Sequence, residues 1–228
     1  MILILGIDMG KFFIALIGIL ACTGCGNNPK DPLEPYNRGI YEFNDAVDNA
    51  VIEPVSRAYD RVVADEFQEM ISNFFSNLGE PVRFINDVLQ LNPNGAAIDL
   101  ERFVFNTTFG IFGLMDFSDG FADIPMRNQD YGMTLARWSN NAPTPFLVLP
   151  LLGPSNVRDT VGLGMTFVTN NALDLQPENE AFIILGIQKR ANLLKYENLM
   201  ALQLDPYVAM RESYIARRNA QYQKLNNE

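Results

Sequence analysis

The chain has 228 residues, which suits one domain or one and a half, with no histidine and a formal net charge of −10 at pH 7. The absence of histidine excludes histidine-dependent catalytic triads, general bases and zinc sites, and the negative charge argues against a basic face for nucleic acid. Sixteen phenylalanines in so acidic a chain indicate apolar surface that has a use, because solubility alone does not require them.

The N-terminus has the pattern of a secretory signal peptide. Residues 12–21 (FFIALIGILA) form an apolar run preceded by Lys11, and this run is too short for a transmembrane helix. Asp8 does not suit the region before such a run, and its presence is explained if translation starts at Met9 rather than Met1. We therefore assign residues 1–24 to a targeting segment.

The end of this segment, ILACTGC, resembles a bacterial lipobox, in which a cysteine becomes lipidated and begins the mature chain. We predict that Cys25, preceded by Thr23 and Gly24, is the lipid anchor. Cys22 is the alternative, because the lipobox prefers leucine three residues before its cysteine and Cys22 occupies that position for Cys25. An ordinary cleaved signal peptide is a second alternative. Neither cysteine is followed by aspartate, which favours the outer membrane over the inner one.

After a lipidated tether, residues 25–31, the pattern predicts a series of short helices separated by glycine and proline. Asp31 followed by Pro32 suits the N-cap of the first helix, which Pro54 ends. The helix over residues 66–78 has an apolar stripe wide enough for a protein core or a bilayer surface. Further helices are predicted over residues 54–63, 82–91, 96–109, 131–139, 155–168 with Ser155 as its cap, and 178–204, and from Pro206 onwards.

The second half also contains the apolar run of residues 146–152 (FLVLPLL), which Pro150 interrupts. This run is predicted to be a short buried or lipid-dipping segment. No segment shows the period-two alternation of a half-buried strand, so the sequence predicts an all-α fold.

The stretch of residues 102–123 is where the pattern is least like that of an ordinary core helix. Its apolar part, residues 103–117, makes a helix of about 22 Å, which is too short to span a hydrocarbon core of about 30 Å. It is either a buried helix of a soluble protein or a segment that enters lipid partway and turns back. In the second case its polar side chains, among them Asn106 and Asp116, lie on a wet side.

Ordered motifs across the mature chain complete a pattern. They are Asp31-Pro32-Leu33-Glu34-x-Tyr36-Asn37-Arg38 with Tyr41-x-Phe43-Asn44; Asn73-Phe74-x-x-Asn77-Leu78-x-Glu80-Pro81; Arg102-Phe103-x-x-Asn106-Thr107 with Gly110, Gly113 and Asp116; Asp130-x-Gly132-x-Thr134-Leu135; Leu149-Pro150-x-x-Gly153-x-Ser155 with Arg158-Asp159; and Asp205-Pro206-Tyr207 with Arg211-Glu212-x-Tyr214. This set resembles the MlaA (VacJ) lipoprotein family over essentially the whole mature chain.

The chain departs from that family's pattern in three places. Tyr131 stands where the family's Asp-Phe-Gly motif has phenylalanine, and Thr144-Pro145-Phe146 stands where the family has Gly-Pro-Tyr. The acidic tail that some members carry is absent, which puts any contact made by such a tail in doubt.

The resemblance implies an all-α ring of short amphipathic helices, formed by residues 32–228 as a single domain. This ring lies embedded in the inner, periplasm-facing leaflet of the outer membrane, has a central polar channel, and sits beside a trimeric porin. The implied role is to remove mislocalised phospholipid from the outer leaflet and pass it to a soluble periplasmic lipid carrier, which maintains lipid asymmetry. No catalytic residue, metal or cofactor is implied. The channel and lip are expected to involve Phe43, Asn44, Asn106, Gly110, Phe112, Gly113, Met115 and Asp116.

Two glycines stand out in the central stretch. Gly110 and Gly113 lie three residues apart and share a face if the stretch is helical, where each glycine costs about 1 kcal/mol relative to alanine. They either allow close helix packing or form a flexible lip that admits a lipid headgroup. In the lip interpretation, Phe112 and Met115 shield the acyl chains from water.

Two other classes of function remain open. A structural lipoprotein that tethers envelope layers is one alternative, although the chain has no basic or repetitive segment for binding a cell wall. A lipid hydrolase is less well supported, because without histidine it needs a Ser/Lys or Ser/Asp scheme, for which no motif is present.

The lipobox gives the first testable prediction, that Cys25 carries the lipid. With about 0.8 kcal/mol for each buried CH₂, its acyl chains make membrane attachment effectively permanent. Intact-mass analysis of the mature protein should find a lipidated chain that begins at Cys25. An unmodified chain, or a chain that begins at Cys22, contradicts the assignment.

Overall fold

The computed structural model describes residues 31–175, 179–197 and 202–226. The predicted targeting segment and both cysteines lie outside these residues. Most of the described chain is helical, which confirms the predicted class. Within the described residues, no helix combines the length and the hydropathy that crossing a bilayer requires.

The helices and strands of the described residues have the following bounds. They are α1 (Glu34–Val47), α2 (Glu53–Val62), α3 (Asp65–Leu78), α4 (Glu80–Leu89), α5 (Pro93–Thr108), α6 (Phe117–Ala122), α7 (Tyr131–Trp138), β1 (Phe146–Leu149), β2 (Gly153–Asn156), α8 (Val157–Ala172), α9 (Asn179–Leu194) and α10 (Pro206–Asn226).

The sequence predicted that Pro54 ends the first helix, but the chain remains helical at this residue. A five-residue π-helical turn, Asp48–Ile52, follows α1 directly, and α2 begins at Glu53. Proline is tolerated in the first turn of a helix, where its missing N–H leaves no bond unmade. A π-helical turn immediately before it therefore accommodates Pro54 without a break.

Residues 146–152 were predicted to be a short buried or lipid-dipping segment, and their first part is buried, as a strand of a small antiparallel hairpin that also takes the place of the start of the helix predicted after it. Strand β1 pairs with β2 so that Phe146 faces Asn156 and Leu149 faces Gly153. All four residues of β1 are buried, and a strand buried on both faces shows no alternation. Ser155 is consequently a strand residue and not a helix cap, because α8 starts at Val157.

The chain divides into two compact units. Among the described residues, unit 1 comprises 31–59, 144–157, 179–197 and 202–216, and unit 2 comprises 60–143, 158–175 and 217–226. The assignment of residues 32–228 to a single domain stays a prediction.

Unit 1 is built around the hairpin. Its apolar core consists of Phe146, Val148, Tyr207 and Tyr214. Asn37 of α1 is fully buried beside it, where its amide nitrogen donates to the carbonyl of Phe146 (3.1 Å) and its amide oxygen accepts from the N–H of Val148 (2.8 Å). A side-chain amide thus satisfies backbone groups of β1 as a neighbouring strand would.

Asp31 is part of the same buried arrangement and does not cap α1, whose N-cap is Leu33. Its carboxylate accepts hydrogen bonds from Asn37 (2.9 Å), from the Tyr207 hydroxyl and from Arg211 (3.3 Å). The first described residue of unit 1 is therefore fixed to α10 by a buried charge with several donors.

Unit 2 contains a second polar junction at the start of α7 and α8. Arg218 of α10 bonds both Asp130 (2.8 Å) and Asp159 (2.6 Å). A Cβ on Gly162 would lie 2.5 Å from the backbone nitrogen of Gly132. The two glycines therefore allow the helices to approach closely around the ion pairs.

Candidate functional site

The polarity of α5 in unit 2 is inverted relative to a helix at the surface of a water-soluble protein. Its buried positions recur every three or four residues, so they share one face. They are Gly95, Ala96, Asp99, Arg102 and Asn106. On the opposite face, Leu100 and Val104 are about half exposed, at 49% and 45%. The helix turns its charged side inward and its apolar side outward.

The neighbouring helices repeat this arrangement. Buried polar residues on α3 and α4 are Gln68, Asn77, Glu80, Asn86 and Asp87. Large apolar residues exposed on the same helices are Phe67, Phe74 and Val88. The polar interior of unit 2 is thus a property of three successive helices.

Arg102 is the centre of the polar interior. It is 1% exposed, and its guanidinium bonds Glu80 (Nε–Oε1, 2.9 Å), Asp116 (Nη2–Oδ2, 2.7 Å) and the carbonyl of Ile124. The other carboxylate oxygen of Glu80 accepts from Arg83 (2.9 Å). Charge-assisted bonds of this kind are the strong ones. Together they fix α4, α5 and the loop that follows α5.

Asp116 closes that loop onto the end of α5. Its Oδ1 accepts from the amide of Asn106 (3.0 Å) and from the N–H of Asp119 (3.2 Å), so it also caps α6. Asn106 in turn accepts from the N–H of Ser118 (2.9 Å). Partial desolvation opposes ionisation of Asp116, but the bonds from Arg102, Asp119 and Asn106 outweigh it and lower the pKa of this carboxyl. Asp116 is therefore an ionised side chain whose carboxylate oxygens are engaged in hydrogen bonds that hold the loop in place.

The loop of residues 109–115 reverses direction within a few residues. Ile111, Phe112 and Gly113 have φ values of 54°, 57° and 88° in succession, a conformation that is costly for a β-branched residue such as isoleucine. The N–H of Gly113 donates to the carbonyl of Asn106 (2.8 Å), and the N–H of Met115 donates to that of Gly110 (2.9 Å). Strain held this way commonly marks a functional site.

The strained turn directs apolar side chains away from the protein. Phe112 is 74% exposed, and Ile111 and Met115 are more than half exposed. Beside it, four phenylalanine rings form a continuous row with centroids 4.9–6.0 Å apart, which we call the aromatic row. Its members are Phe105, Phe109, Phe117 and Phe121. Phe121, at 80% exposure, ends the row.

The structure brings together six of the predicted channel and lip residues. They are Asn106, Gly110, Phe112, Gly113, Met115 and Asp116. The two glycines do not share a helix face, because α5 ends at Thr108 and both lie in the loop. A Cβ on Gly113 would lie 2.6 Å from the Asn77 side chain, and one on Gly110 would lie 2.2 Å from the carbonyl of Met115. Both glycines are required by the close packing of the turn.

The remaining two predicted residues, Phe43 and Asn44, belong to unit 1. Phe43 is an exposed residue of α1. Asn44 is occupied, since its amide donates to the carbonyl of Leu149 (2.9 Å) and accepts from the N–H of Leu151 (2.7 Å). Asn44 holds the turn of the hairpin. The predicted anchor, Cys25 or Cys22, lies outside the described residues.

A second buried charge cluster lies between α4 and α5. Asp87 is fully buried and bonds Arg127 and Asn92 (3.2 Å). A Cβ on Gly95 would lie 1.9 Å from Arg127 Nη1, so only glycine admits the arginine here. Asp99 is also fully buried. Burial, then a hydrogen bond with Asp87 and the charges of Asp87 and Glu80, raise the pKa of Asp99 to about 8, against the opposing effect of Arg127.

Sequence interpretation missed these buried charges. Glu80 and Arg102 appeared only within motifs, and Asp87, Asp99 and Arg127 were not singled out. A signal was present, because Asp99, Arg102 and Asn106 recur at helical spacing opposite Leu100 and Val104. Spacing alone does not say which of the two faces is turned inward.

Comparisons with known proteins agree with this geometry. The family model for the MlaA lipoprotein matches residues 29–221. The intermembrane phospholipid transport system lipoprotein MlaA of Haemophilus influenzae is 30% identical over 219 residues, which is 88% of this chain and 85% of that protein. An uncharacterised protein of Rickettsia conorii, RC0123, is 34% identical over 202 residues, 86% of this chain and 80% of its own length.

A solved structure also superimposes on this fold. It is described as the structural basis for maintenance of bacterial outer membrane lipid asymmetry, and the match has a TM-score of 0.72 at 30% identity. The match covers 84% of this chain and 98% of the solved one.

The buried carboxyl of Asp99 generates a prediction about pH. Its pKa is about 8 when folded and 3.8 in its ordinary state, so the folded chain retains a proton that the unfolded chain releases. Stability therefore falls as pH rises from about 4 to 8, by at most about 1.4 kcal/mol per pH unit from this group. Asp99→Asn should remove that slope and raise the thermal midpoint at pH 8 more than at pH 5.

Thermal unfolding followed by circular dichroism in detergent at pH 5 and pH 8 checks this. Asp60→Asn, which removes an exposed carboxyl of unit 2, is the matched control and should behave as the unmodified chain. If Asp99→Asn keeps the slope of the unmodified chain, the protonated state assigned to Asp99 is wrong.

Proposed function

The chain belongs to the MlaA lipoprotein family, and from that premise we propose that it acts in intermembrane phospholipid transport and maintains the lipid asymmetry of a bacterial outer membrane. The relatives named MlaA and the solved structure concerned with outer-membrane lipid asymmetry support this general role. They also support the proposal that this chain is a lipoprotein of the outer membrane.

The inverted polarity of unit 2 is the observation that carries the proposal. A helix whose exposed face is apolar and whose buried face is charged suits an environment in which lipid lies outside and polar groups find partners inside. Helices α3 and α5, with 14 and 16 residues, correspond to about 21 and 24 Å, less than a hydrocarbon core of about 30 Å. We place them within one leaflet, the inner leaflet of the outer membrane.

The finer mechanism follows from separating the two halves of a phospholipid. The headgroup moves through a polar, water-lined channel enclosed by a ring of helices, while the acyl chains remain in lipid along the exposed apolar surface. Phospholipid that has strayed into the outer leaflet is taken in, and a soluble periplasmic carrier receives it. A trimeric porin lies alongside. No bond is made or broken, so the protein acts without catalysis.

The strained loop after α5 is the proposed lip of the channel. Phe112 and Met115 present their side chains to the acyl chains. Asp116, tied to Arg102 and Asn106, holds the loop in place from behind. Its carboxylate is already occupied, and we therefore assign it to positioning the lip and not to binding the headgroup.

Deletion of the encoding gene, followed by complementation, tests the role. The measured quantity is phospholipid at the cell surface, quantified with an amine-reactive reagent that does not cross the outer membrane. Deletion should raise it, and the unmodified chain should return it to the parental level. A deletion that loosens the envelope without changing surface phospholipid indicates a structural lipoprotein, and lysolipid formation by pure protein indicates a hydrolase.

The lip gives a sharper prediction through Phe112→Asn. Asparagine tolerates the left-handed conformation of this position (φ 57°), so the change removes the apolar side chain without adding backbone strain. Protein abundance should stay normal, while surface phospholipid should remain near the level of the deletion strain.

Leu91→Asn is the matched control, because Leu91 is also in unit 2, is 86% exposed and has a φ of 57°. It should complement fully. If Phe112→Asn complements fully at normal abundance, the lip assignment is wrong. If both variants lose complementation equally, the effect is not specific to the loop after α5, and the assignment also fails.

A further inference from the structure

Two leucine side chains of unit 1 are highly exposed. Leu204 is 106% exposed and Leu202 is 78% exposed, the former as exposed as in an extended peptide. They were predicted to continue the helix that begins near residue 178, but α9 ends at Leu194 and neither leucine is helical. Both precede α10 directly. Because they lie two residues apart, they place two large apolar side chains on one short segment of the surface.

The chain next to these leucines is fixed to the N-terminal end of the domain. Asp205, adjacent to Leu204, pairs with Arg38 of α1 (2.8 Å). Two residues further on, the Tyr207 hydroxyl donates to the fully buried carboxylate of Asp31. Leu204 and Asp31 therefore lie at the same end of unit 1.

The position of Asp31 limits where the membrane can be. Five residues lie between it and Cys25, the predicted lipid anchor, so the two are six steps apart along the chain. At no more than about 3.6 Å per residue, the chain between them reaches at most about 22 Å, whatever its conformation. The leaflet that receives the acyl chains of Cys25 must then pass within that distance of Asp31, and so close to the two leucines.

We propose that Leu202 and Leu204 form a wedge that inserts into the lipid leaflet holding the N-terminal acyl chains. The neighbouring charge is matched, since Asp205 is paired with Arg38, which also bonds Glu34 (2.9 Å). This pairing lowers the penalty of bringing the wedge to the boundary between headgroups and acyl chains. The inference rests on the proposed function, because it assumes the lipid anchor at Cys25.

The consequence of the wedge is a defined orientation. A flexible tether alone does not fix the angle at which the anchored end of unit 1 meets the leaflet, whereas a tether and a wedge at the same end restrict that angle. The wedge thus sets the angle at which unit 1 meets the bilayer, in addition to adding apolar contact.

A fluorescence experiment on the full lipidated chain tests the wedge. Leu204→Cys supplies a single free thiol, because lipidation alkylates the sulfur of Cys25 and Cys22 leaves with the targeting segment. Full exposure of Leu204 makes the change harmless to folding. The thiol is labelled with a polarity-sensitive dye, and the protein is reconstituted into phosphatidylethanolamine–phosphatidylglycerol vesicles. Ser213→Cys, at an exposed position further along α10, is the matched control.

The dye at position 204 should show blue-shifted emission, quenching by spin labels placed high on the acyl chains, and little quenching by aqueous iodide. The dye at position 213 should be quenched by iodide. Equal iodide quenching at both positions overturns the wedge. Protection from iodide without quenching by the lipid spin labels also overturns it, because a protein surface then covers the leucines.

Vesicle flotation of the same samples distinguishes failure of the wedge from failure of the proposed membrane-bound function. If the chain floats with the vesicles while position 204 is aqueous, the wedge alone fails. If the lipidated chain does not float, the membrane-bound function fails together with the wedge.

Discussion

A buried arginine with two carboxylate partners is the constraint on which unit 2 depends. Arg102 cannot be deprotonated in a protein, and a buried cation without a partner is expensive. Glu80 from α4 and Asp116 from the loop after α5 therefore have to converge on it. Removing one partner of such a buried pair typically costs about 3–5 kcal/mol. This one side chain sets which faces of α4 and α5 turn inward.

The exposed apolar surface of unit 2 follows from the burial of these charged side chains. Once the polar stripe of α5 is turned to the interior, Leu100 and Val104 have to face out, and the loop closed by Asp116 leaves Phe112 exposed. In water such a surface promotes aggregation. In lipid it is the matched surface, and the same inversion leaves polar groups on the inside, where the proposed headgroup path requires them.

The sequence was sufficient for the elements that glycine and proline delimit. The start of α10 at Pro206 and the end of α3 before Gly79 were predicted within a residue, and the mostly helical class was confirmed. The hairpin could not be predicted, because β1 is buried on both faces and two of its backbone groups, the carbonyl of Phe146 and the N–H of Val148, are satisfied by Asn37, more than a hundred residues away. A local sequence pattern does not show which distant side chain will bond to the strand.

The candidate site was predicted in part, for a related reason. Motif residues placed Asn106, Gly113 and Asp116 together, but the helical interpretation of the glycines was wrong because φ values are a property of the folded turn. The burial of Asp99 and Arg102 was also beyond reach. Helical spacing identifies two faces, and the surrounding solvent, lipid or water, decides which one is buried.

Lipid as the surrounding solvent is the central claim, and the behaviour of the chain without its anchor tests it most directly. The measurement is made on a Cys25→Ala variant exported through another signal peptide, extracted with and without detergent and examined by size-exclusion chromatography. The account predicts that the variant remains with membranes and needs detergent to stay dispersed, because its apolar faces contact lipid independently of the acyl chains. A detergent-free, monodisperse monomer contradicts the account, since those faces would then be covered by protein.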